Sequence, residues 1–507
     1  MLINAAGRGK IFFKLILAAF TLIFCLQPLF ALEDIQNILN KYPQLKGAQT
    51  SVYAKYIDGA EIISLNPDLR LAPASVLKLY TTAAALDILG PDFTFETKLY
   101  YSGKIKKKRI KGDIYIKGGG DPTLGSRRIA ATQNIEALTD TWVETIKSLG
   151  VKRIDGNIYA DNTIFSGVLY PWHTTYQNIG NYFAAPVDGL SILDNSYDIY
   201  FEPSLEDGSH ANVLRTDPPM DGLIIQSKAT IAANPSGGAY ANYLPGIGAV
   251  VVYGKISTSK RSLEISAAMP SPALFFADYF KNKLELAGIK VKGDFMLASS
   301  PNYEDKTLIL THSSPELREI IKYTNKRSFN LYADTLLRTL SVKNGGAGTA
   351  QAGASQVKDY LNRLGLESSG VNILDGGGLG RDNITTCRLT VSLLEKVLKT
   401  PYKDDFVASI PRAGDPEDIG SVARRMKHTS AAHNALIKTG ALNKVRAHAG
   451  YLKDSKNRKI VFCIVSNNFD GSAREINAPH EEIICKLSDI GLNKKPTARR
   501  PKRKTKK

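Results

Sequence analysis

Hydrophobic and polar positions alternate along the middle of this chain in two periods, one helical and one typical of strands. Helical periods cover residues 134–149 and 271–287, and each ends at a glycine that is followed by a short strand-like run. Between them, apolar runs separated by Gly, Pro, Asn and Asp clusters predict a small all-β module, with strands near 199–201, 223–225 and 249–253. We therefore expect an α/β unit that contains an inner β unit.

A second set of helices and strands lies on both sides of this stretch. One apolar helix begins near Ser75, and another begins at Ser314-Pro315, where a serine N-cap precedes a first-turn proline. Further helical periods follow residue 328, and three apolar strand runs close the chain, at 435–438, 447–452 and 459–465. These patterns predict an α/β domain built from both chain ends, with helices packed on one side of an antiparallel sheet.

The N-terminus has the composition of a secretory leader. Basic residues precede or enter an apolar run over residues 11–26, and Ala31 follows Pro28 near a suitable cleavage position. A membrane span needs about 20 apolar residues, so an uncleaved anchor is the less favoured alternative. We expect cleavage near residue 31 and a functional chain in the periplasm or cell envelope.

The net charge of +18 is concentrated at the C-terminus. Nine lysines and arginines lie between residues 494 and 507, with two prolines among them and no hydrophobic period, a pattern typical of disorder. Behind an export signal, an anionic envelope polymer or lipid headgroups suit this tail better than nucleic acid. A solubilising tail without a specific partner stays open as an alternative.

The cysteines exclude two other classes of protein. Cys387, Cys463 and Cys485 remain after the leader, so at most one disulfide can form, and their spacing is not that of a zinc site. Cys463 lies in an apolar run and is predicted to be a buried core thiol.

Three short motifs in one order carry the candidate chemistry: Ser75-Val76-Leu77-Lys78, Ser328-Phe329-Asn330 and Lys438-Thr439-Gly440. Because positions i and i+3 share a helix face, the Lys78 amine is expected beside the Ser75 hydroxyl. Ser75 is then the nucleophile and Lys78 its general base, provided that burial and a second cation, Lys438, lower the pKa of Lys78.

The second motif offers a proton relay. Ser328 can pass a proton toward a leaving amine, and the Asn330 carboxamide can hold Lys78 together with a substrate amide.

The third motif offers a substrate seat at a strand edge. Lys438 and Thr439 provide a positive, hydrogen-bonding site for a carboxylate, and Gly440 lets a substrate approach the strand. Backbone N–H groups at Ser75 and near Leu442 are the expected oxyanion hole.

The ordered motifs resemble those of the class C low-molecular-mass penicillin-binding proteins, which are D-alanyl-D-alanine carboxypeptidases and endopeptidases. The resemblance covers nearly all of residues 33–485. It extends to the segments 71–75, 90–93, 120–124, 154–157, 185–187, 325–328 and 375–379. It implies a transpeptidase-like catalytic domain, a serine acyl-enzyme without metal or cofactor, peptidoglycan stem peptides as substrates, and β-lactams as covalent inhibitors.

The family's large insertion after the first motif, built as two extra domains, matches the long interval between Lys78 and Ser328. The expected divisions are a signal peptide at 1–31, a catalytic domain at 32–90 and 305–490, an inserted α/β domain at 91–185 and 262–304, an inner β domain at 186–261, and a basic tail at 491–507.

Four positions depart from the family pattern. Asn178, still a substrate-binding candidate, stands where the family places an Asp near the cleft, which bears on recognition of a cationic side-chain amine. Gly377 and Gly380 replace two serines, and Ala441 replaces a hydroxyl residue after the third motif. One lost hydrogen bond to a charged group costs about 1.5 to 3 kcal/mol, so these positions predict a weakened grip on the substrate.

These observations predict a serine D-alanyl-D-alanine carboxypeptidase, D,D-endopeptidase, or both. The alternative is a catalytically weakened cell-wall-binding protein that keeps the fold. A β-lactamase is disfavoured because no dedicated deacylating glutamate is evident. The motifs do not separate carboxypeptidase from endopeptidase, because both activities break the same type of D,D bond.

Overall fold

The computed structural model describes residues 33–492, apart from 172, 205, 234–237 and 259–262. The predicted signal peptide and residues 493–507 of the predicted tail lie outside these described residues. The helices of this part are α1 (33–40), α2 (Lys78–Leu89), α3 (Ile135–Ser148), α4 (Pro272–Leu286), α5 (Leu317–Lys326), α6 (Asn330–Lys343), α7 (Ala350–Arg363), α8 (Cys387–Val397), α9 (Lys403–Ala408) and α10 (Asn477–Ser488).

The strands are β1 (Gln49–Tyr56), β2 (Glu61–Leu65), β3 (Glu96–Tyr101), β4 (Lys104–Lys106), β5 (Arg109–Lys111), β6 (Ile114–Lys117), β7 (Arg153–Ile154), β8 (Ile158–Asp161), β9 (Ser196–Phe201), β10 (Val213–Asp217), β11 (Ile224–Ser227), β12 (Thr230–Ala232), β13 (Ala239–Leu244), β14 (Ala249–Ser257), β15 (Glu264–Ala268), β16 (Lys290–Val291), β17 (Phe295–Leu297), β18 (Thr307–Ser313), β19 (Leu436–Leu442), β20 (Val445–Lys453) and β21 (Lys459–Asn467).

A five-stranded antiparallel sheet, in the order β19-β20-β21-β1-β2, joins the two ends of the described chain. Both of its faces are buried. Val461, Cys463 and Val465 of β21 face a core that contains α2 and α5–α9, whereas the alternate residues of β21 face a core that contains α1 and α10. The prediction of helices on one side only is therefore wrong, because a strand that is apolar on both faces needs cover on both.

Helix α2 crosses the first core with apolar or small residues on every side. Its residues from Lys78 to Leu86 are buried, and it packs against α5, α6 and α7. Gly90 ends the helix with a φ of 86°, a conformation that residues other than glycine rarely adopt. This burial places the Lys78 side chain in the protein interior.

Between α2 and α5 the chain forms an inserted part with four sheets. Their strand orders are β17-β8-β6-β3-β18, β16-β7-β5-β4, β10-β9-β15, and β11-β14-β12 with β13 on β14. One hydrophobic core runs through the inserted part, and Trp142 of α3 meets Phe276 and Phe280 of α4 in T-shaped contacts at 5.6 and 5.7 Å. The two helices predicted at 134–149 and 271–287 are thus confirmed as α3 and α4.

The pairing of two strands departs from the predicted divisions. β18 pairs with β3 of the inserted part, whereas a boundary at 305 assigns β18 to the catalytic domain. β15 pairs with β9, whereas a boundary at 262 assigns the two strands to different domains. Ser314 accepts a hydrogen bond from the Phe95 N–H at 2.9 Å, and α5 begins only at Leu317, because Ser314 holds the inserted sheet instead of capping a helix. The rest of the division stays a prediction.

Two further observations concern the described residues. Cys387, Cys463 and Cys485 are free thiols, and Cys463 is fully buried, as predicted. No helix among these residues is long and apolar enough to cross a membrane.

Candidate active site

Ser75 lies in a short 3-10 turn immediately before α2. Ala74, the residue before it, has a φ of 46°, in the left-handed region that costs free energy for a residue with a side chain. Two glycines press on this turn. A Cβ at Gly440 would lie 2.5 Å from the Pro73 carbonyl oxygen, and one at Gly378 would overlap the Ala74 carbonyl. The turn that carries the nucleophile is therefore held between β19 and the loop at 375–381.

The Lys78 amine is buried and meets three oxygen atoms. Its Nζ donates to Ser75 Oγ at 2.9 Å, to Asn330 Oδ1 at 2.6 Å and to the Gly377 carbonyl at 2.5 Å. Burial lowers the pKa of Lys78 to about 8, against the Asp334 carboxylate, which raises it. A lysine in this environment can accept the proton of Ser75 near neutral pH.

A second serine–lysine pair faces the first. Lys438 Nζ donates to Ser328 Oγ at 2.9 Å and to the Thr439 carbonyl at 3.0 Å. Burial, followed by the charges of Lys78 and Arg446, holds the pKa of Lys438 well below its usual range. Burial is the main cause that lowers the pKa of Lys78, and the charge of Lys78 is among the causes that lower the pKa of Lys438, so the two amines oppose each other's protonation. The predicted role of Lys438 in lowering the Lys78 pKa stays a prediction.

The glycine-rich loop after residue 374 is fixed by a partly buried carboxylate of α6. Asp334 accepts hydrogen bonds from the N–H groups of Gly376 at 2.6 Å and Gly377 at 2.9 Å, which keeps the Gly377 carbonyl close to Lys78. Burial, followed by the charge of Asp375, raises the pKa of Asp334 to about 7. Asp334 thus positions the base without touching the nucleophile.

His173 occupies space that the family pattern gives to a serine at position 380. Its Nε2 lies 2.7 Å from Asp375 Oδ2, and a Cβ at Gly380 would lie 2.5 Å from its Cδ2 atom. Burial opposes protonation of His173, but the hydrogen bond and charge of Asp375 prevail and raise its pKa. Gly377 is less crowded, since a Cβ there would lie 3.0 Å from Asn330 Oδ1, which would have to shift by a few tenths of an ångström. At Gly377 and Gly380 the backbone packs closely against neighbouring side chains. The glycines therefore do more than remove two serine hydroxyls, because they make room for these neighbours.

The motifs open into a cleft of about 690 Å³. Ser75, Ser328 and Asn330 line it, as do the predicted substrate residues Asn178 and Leu442. Strand β19 is the outer strand of its sheet. Its outer edge is bonded to residues 411–412 at Leu436 and Ile437, and the part that follows is not paired with another strand and stays available to an extended substrate.

The substrate seat on β19 has a hydroxyl that the sequence did not indicate. Thr439 Oγ1 lies 2.9 Å from Ser421 Oγ, which comes from the loop before β19. Ala441 lines the cleft and provides no hydroxyl. Ser421 therefore places a second hydroxyl beside Thr439, on a different segment from position 441.

The structure brings all predicted motif residues together, whereas three contributors were missed. His173, Asp334 and Ser421 stand outside the three motifs and reach the site through tertiary packing. Asp334 alone carried a local signal, because it lies four residues after Asn330 on the same helix face.

Fold and contacts together define the chain as a penicillin-binding serine hydrolase, whose candidate site pairs two serines with two buried lysines. The model of the D-Ala-D-Ala carboxypeptidase 3 (S13) family matches residues 31–485, and the chain belongs to this family. As a member, it is a serine-type D-Ala-D-Ala carboxypeptidase.

Curated relatives are similar in sequence to most of this chain. It is 28% identical over 480 residues to the D-alanyl-D-alanine carboxypeptidase of Actinomadura sp. (strain R39), covering 92% of this chain and 86% of that one. It is 24% identical over 457 residues to the D-alanyl-D-alanine carboxypeptidase DacB of Haemophilus influenzae, covering 87% and 90%. The crystal structure of penicillin binding protein 4 (dacB) from H. influenzae has the same fold, with a TM-score of 0.76, 23% identity and coverage of 89% and 98%.

Proposed function

We propose that Ser75 cleaves the bond between two D-alanines, or a D,D cross-link, in peptidoglycan stem peptides. The observation that carries this proposal is the 2.9 Å contact between Lys78 Nζ and Ser75 Oγ. The same amine is held by Asn330 and Gly377, so base and nucleophile are aligned before a substrate binds.

Acylation then replaces the C–N bond of the substrate with an ester bond to Ser75. Ser75 Oγ bonds to the carbonyl carbon of the first D-alanine while Lys78 takes the hydroxyl proton. The C–N bond breaks, and the proton taken by Lys78 passes through the Ser328 hydroxyl, which Lys438 holds, to the leaving amine. Water hydrolyses the ester and restores Ser75.

Two groups of polar atoms on and beside β19 support binding of the substrate. The Ser75 N–H is one candidate for the oxyanion hole, and the second is the Ala441 N–H in place of the predicted Leu442. Ile437 donates away from β20 to the Pro411 carbonyl, so the alternate N–H of Ala441 faces the same outer edge, whereas Leu442 pairs with Val445 of β20. The carboxylate of the leaving residue is assigned to Lys438, Thr439 and Ser421, because a cation and two hydroxyls meet there.

The relatives support this substrate class and one class of inhibitor. Two of them are named D-alanyl-D-alanine carboxypeptidases, and the H. influenzae protein has been solved in complex with a β-lactam, a structure similar to this chain with a TM-score of 0.71. We propose in addition that residues 1–31 direct export to the periplasm or cell envelope and that the basic tail binds an anionic envelope polymer or lipid headgroups. Mass analysis of the mature N-terminus tests the first of these proposals.

The main proposal is tested by adding penicillin, and separately whole sacculi, to the protein and its Ser75→Ala variant. We expect the protein to gain the mass of one penicillin and to release D-alanine or uncross-linked muropeptides, and the variant to do neither. No adduct on the unmodified protein would refute the acyl-enzyme. An adduct without any muropeptide turnover would instead favour a cell-wall-binding protein with weakened catalysis.

A further inference from the structure

A second groove opens beside the active-site cleft, at the end where β19 lies. We call it the Ser421 groove; it holds about 580 Å³, and its wall includes Tyr182, Phe183, Tyr240, Arg327 and Ser421. Phe183 lines both this groove and the cleft. The two spaces therefore share a wall.

Two hydrogen bonds connect the Ser421 groove to the catalytic motifs. Ser421 Oγ lies 2.9 Å from Thr439 Oγ1, and Asn330 Nδ2 donates to the Phe183 carbonyl at 2.7 Å. A group that binds at Thr439 therefore lies at the mouth of the groove.

The described residues that line the Ser421 groove include three cations and no carboxylate. Arg128 and Lys326 each form an ion pair with an aspartate that is not part of this wall. Arg327 is exposed and donates to the Ile419 carbonyl at 3.2 Å, and it has no ion-pair partner among the described residues. The charge of the wall therefore favours an anionic ligand.

Two tyrosine rings add a contact surface to this positive wall. Tyr182 and Tyr240 are each 46% exposed. An exposed tyrosine offers a large apolar face together with a hydroxyl that can form a hydrogen bond, and both suit contact with a peptide chain.

The position of the carboxylate seat decides which part of a substrate reaches this groove. In the proposed function, the leaving residue places its carboxylate at Lys438 and Thr439, and Ser421 of the groove wall lies next to that seat. A leaving D-alanine has no extension. The leaving amine of a cross-link belongs to the side chain of a second stem peptide, which continues past the seat and carries further carboxylates.

We propose that the Ser421 groove binds the leaving half of a D,D-cross-linked stem-peptide dimer, which makes cross-linked peptidoglycan the preferred substrate. This inference rests on the proposed function. Ser75 Oγ bonds to the D-alanine carbonyl carbon, the C–N bond of the cross-link breaks, and the amine of the second stem leaves with a proton. Water then hydrolyses the ester.

The test compares two purified muropeptides, a pentapeptide monomer and a D,D-cross-linked tetrapeptide dimer. Arg327→Gln removes the unpaired charge, and Tyr240→Ala removes one ring on the inserted part. Arg424→Gln is the matched control, because Arg424 is exposed in the segment after Ser421 but is not part of the groove wall. For each protein, kcat/KM is measured on both substrates at low and high salt.

We expect Arg327→Gln to lower the dimer-to-monomer ratio of kcat/KM about tenfold, the effect of losing one charge-assisted contact, and to do so less at high salt. We expect Tyr240→Ala to lower the ratio and Arg424→Gln to leave it unchanged. The inference is overturned if neither groove variant changes the ratio, or if the unmodified protein cleaves the monomer but not the dimer. Cleavage of neither substrate would overturn the proposed function as well.

Discussion

Gly380→Ser restores the residue that the family pattern has at this position, and in this chain it is expected to be harmful. The new Cβ would lie 2.5 Å from Cδ2 and 2.9 Å from Cγ of His173, well inside the contact distance of about 3.5 Å between carbon atoms. The His173 side chain is only 13% exposed, so its ring cannot move aside freely. To make room, the His173 ring must move away from Asp375. Asp375 also accepts hydrogen bonds from N–H groups of the loop that contains Gly377, so this loop is expected to shift as well.

The expected loss follows from this crowding. Overpacking of a buried site costs about 1 to 3 kcal/mol, and we expect Gly380→Ser to lower the free energy of unfolding by that amount. His173→Ala removes the ring, so the double variant should be more stable than the sum of the two single changes predicts. Acylation by penicillin should slow in Gly380→Ser, because the Gly377 carbonyl is one of the three oxygens around Lys78, and should recover partly in the double variant.

The assays are urea unfolding and the second-order rate of penicillin acylation for the four proteins. Gly370→Ser is the matched control, since a Cβ there would meet its nearest neighbour at 3.7 Å, an ordinary contact. Strictly additive losses in the double variant, or a Gly380→Ser protein as stable as the parent, would refute the steric argument.

Two further predictions concern the base and the edge strand. Acylation by penicillin should rise about tenfold per pH unit below pH 8 and level off above it, because Lys78 accepts a proton only when neutral and its pKa is lowered to about 8; a flat rate between pH 5 and 9 would contradict this. Gly440→Ala should cost about 1 to 3 kcal/mol of stability and slow acylation, because the new methyl group meets the Pro73 carbonyl at 2.5 Å. Gly246→Ala is the control in calorimetry and acylation assays, because a Cβ there meets no atom within 4 Å, and equal effects of the two changes would count against this reasoning.

Much of the catalytic geometry was predictable because it depends on local spacing and on an ordered set of motifs. Ser75 and Lys78 are brought together by one helical turn. The strand that carries Lys438 is predicted by an apolar run that ends in a turn. His173 and Ser421 could not be predicted, because their positions depend on how loops pack across domains. The residues around them in sequence show neither the helical nor the strand period of apolar positions. The continuous apolar run at 460–465 did indicate that both faces of this strand are buried. The prediction of helices on one side of the sheet overlooked this signal.

The sheet that combines both chain ends has a consequence for the timing of activity during synthesis. β1 lies between β2 and β21, and β19 is laid down only after the entire inserted part. Ser75 is therefore made early, whereas Asn330, the Gly377 carbonyl and Lys438 follow much later on the ribosome. Contacts of such large sequence separation form late in folding. A partly synthesised chain thus carries a serine without its complete activating shell until the segments that hold Asn330, Gly377 and Lys438 have been made.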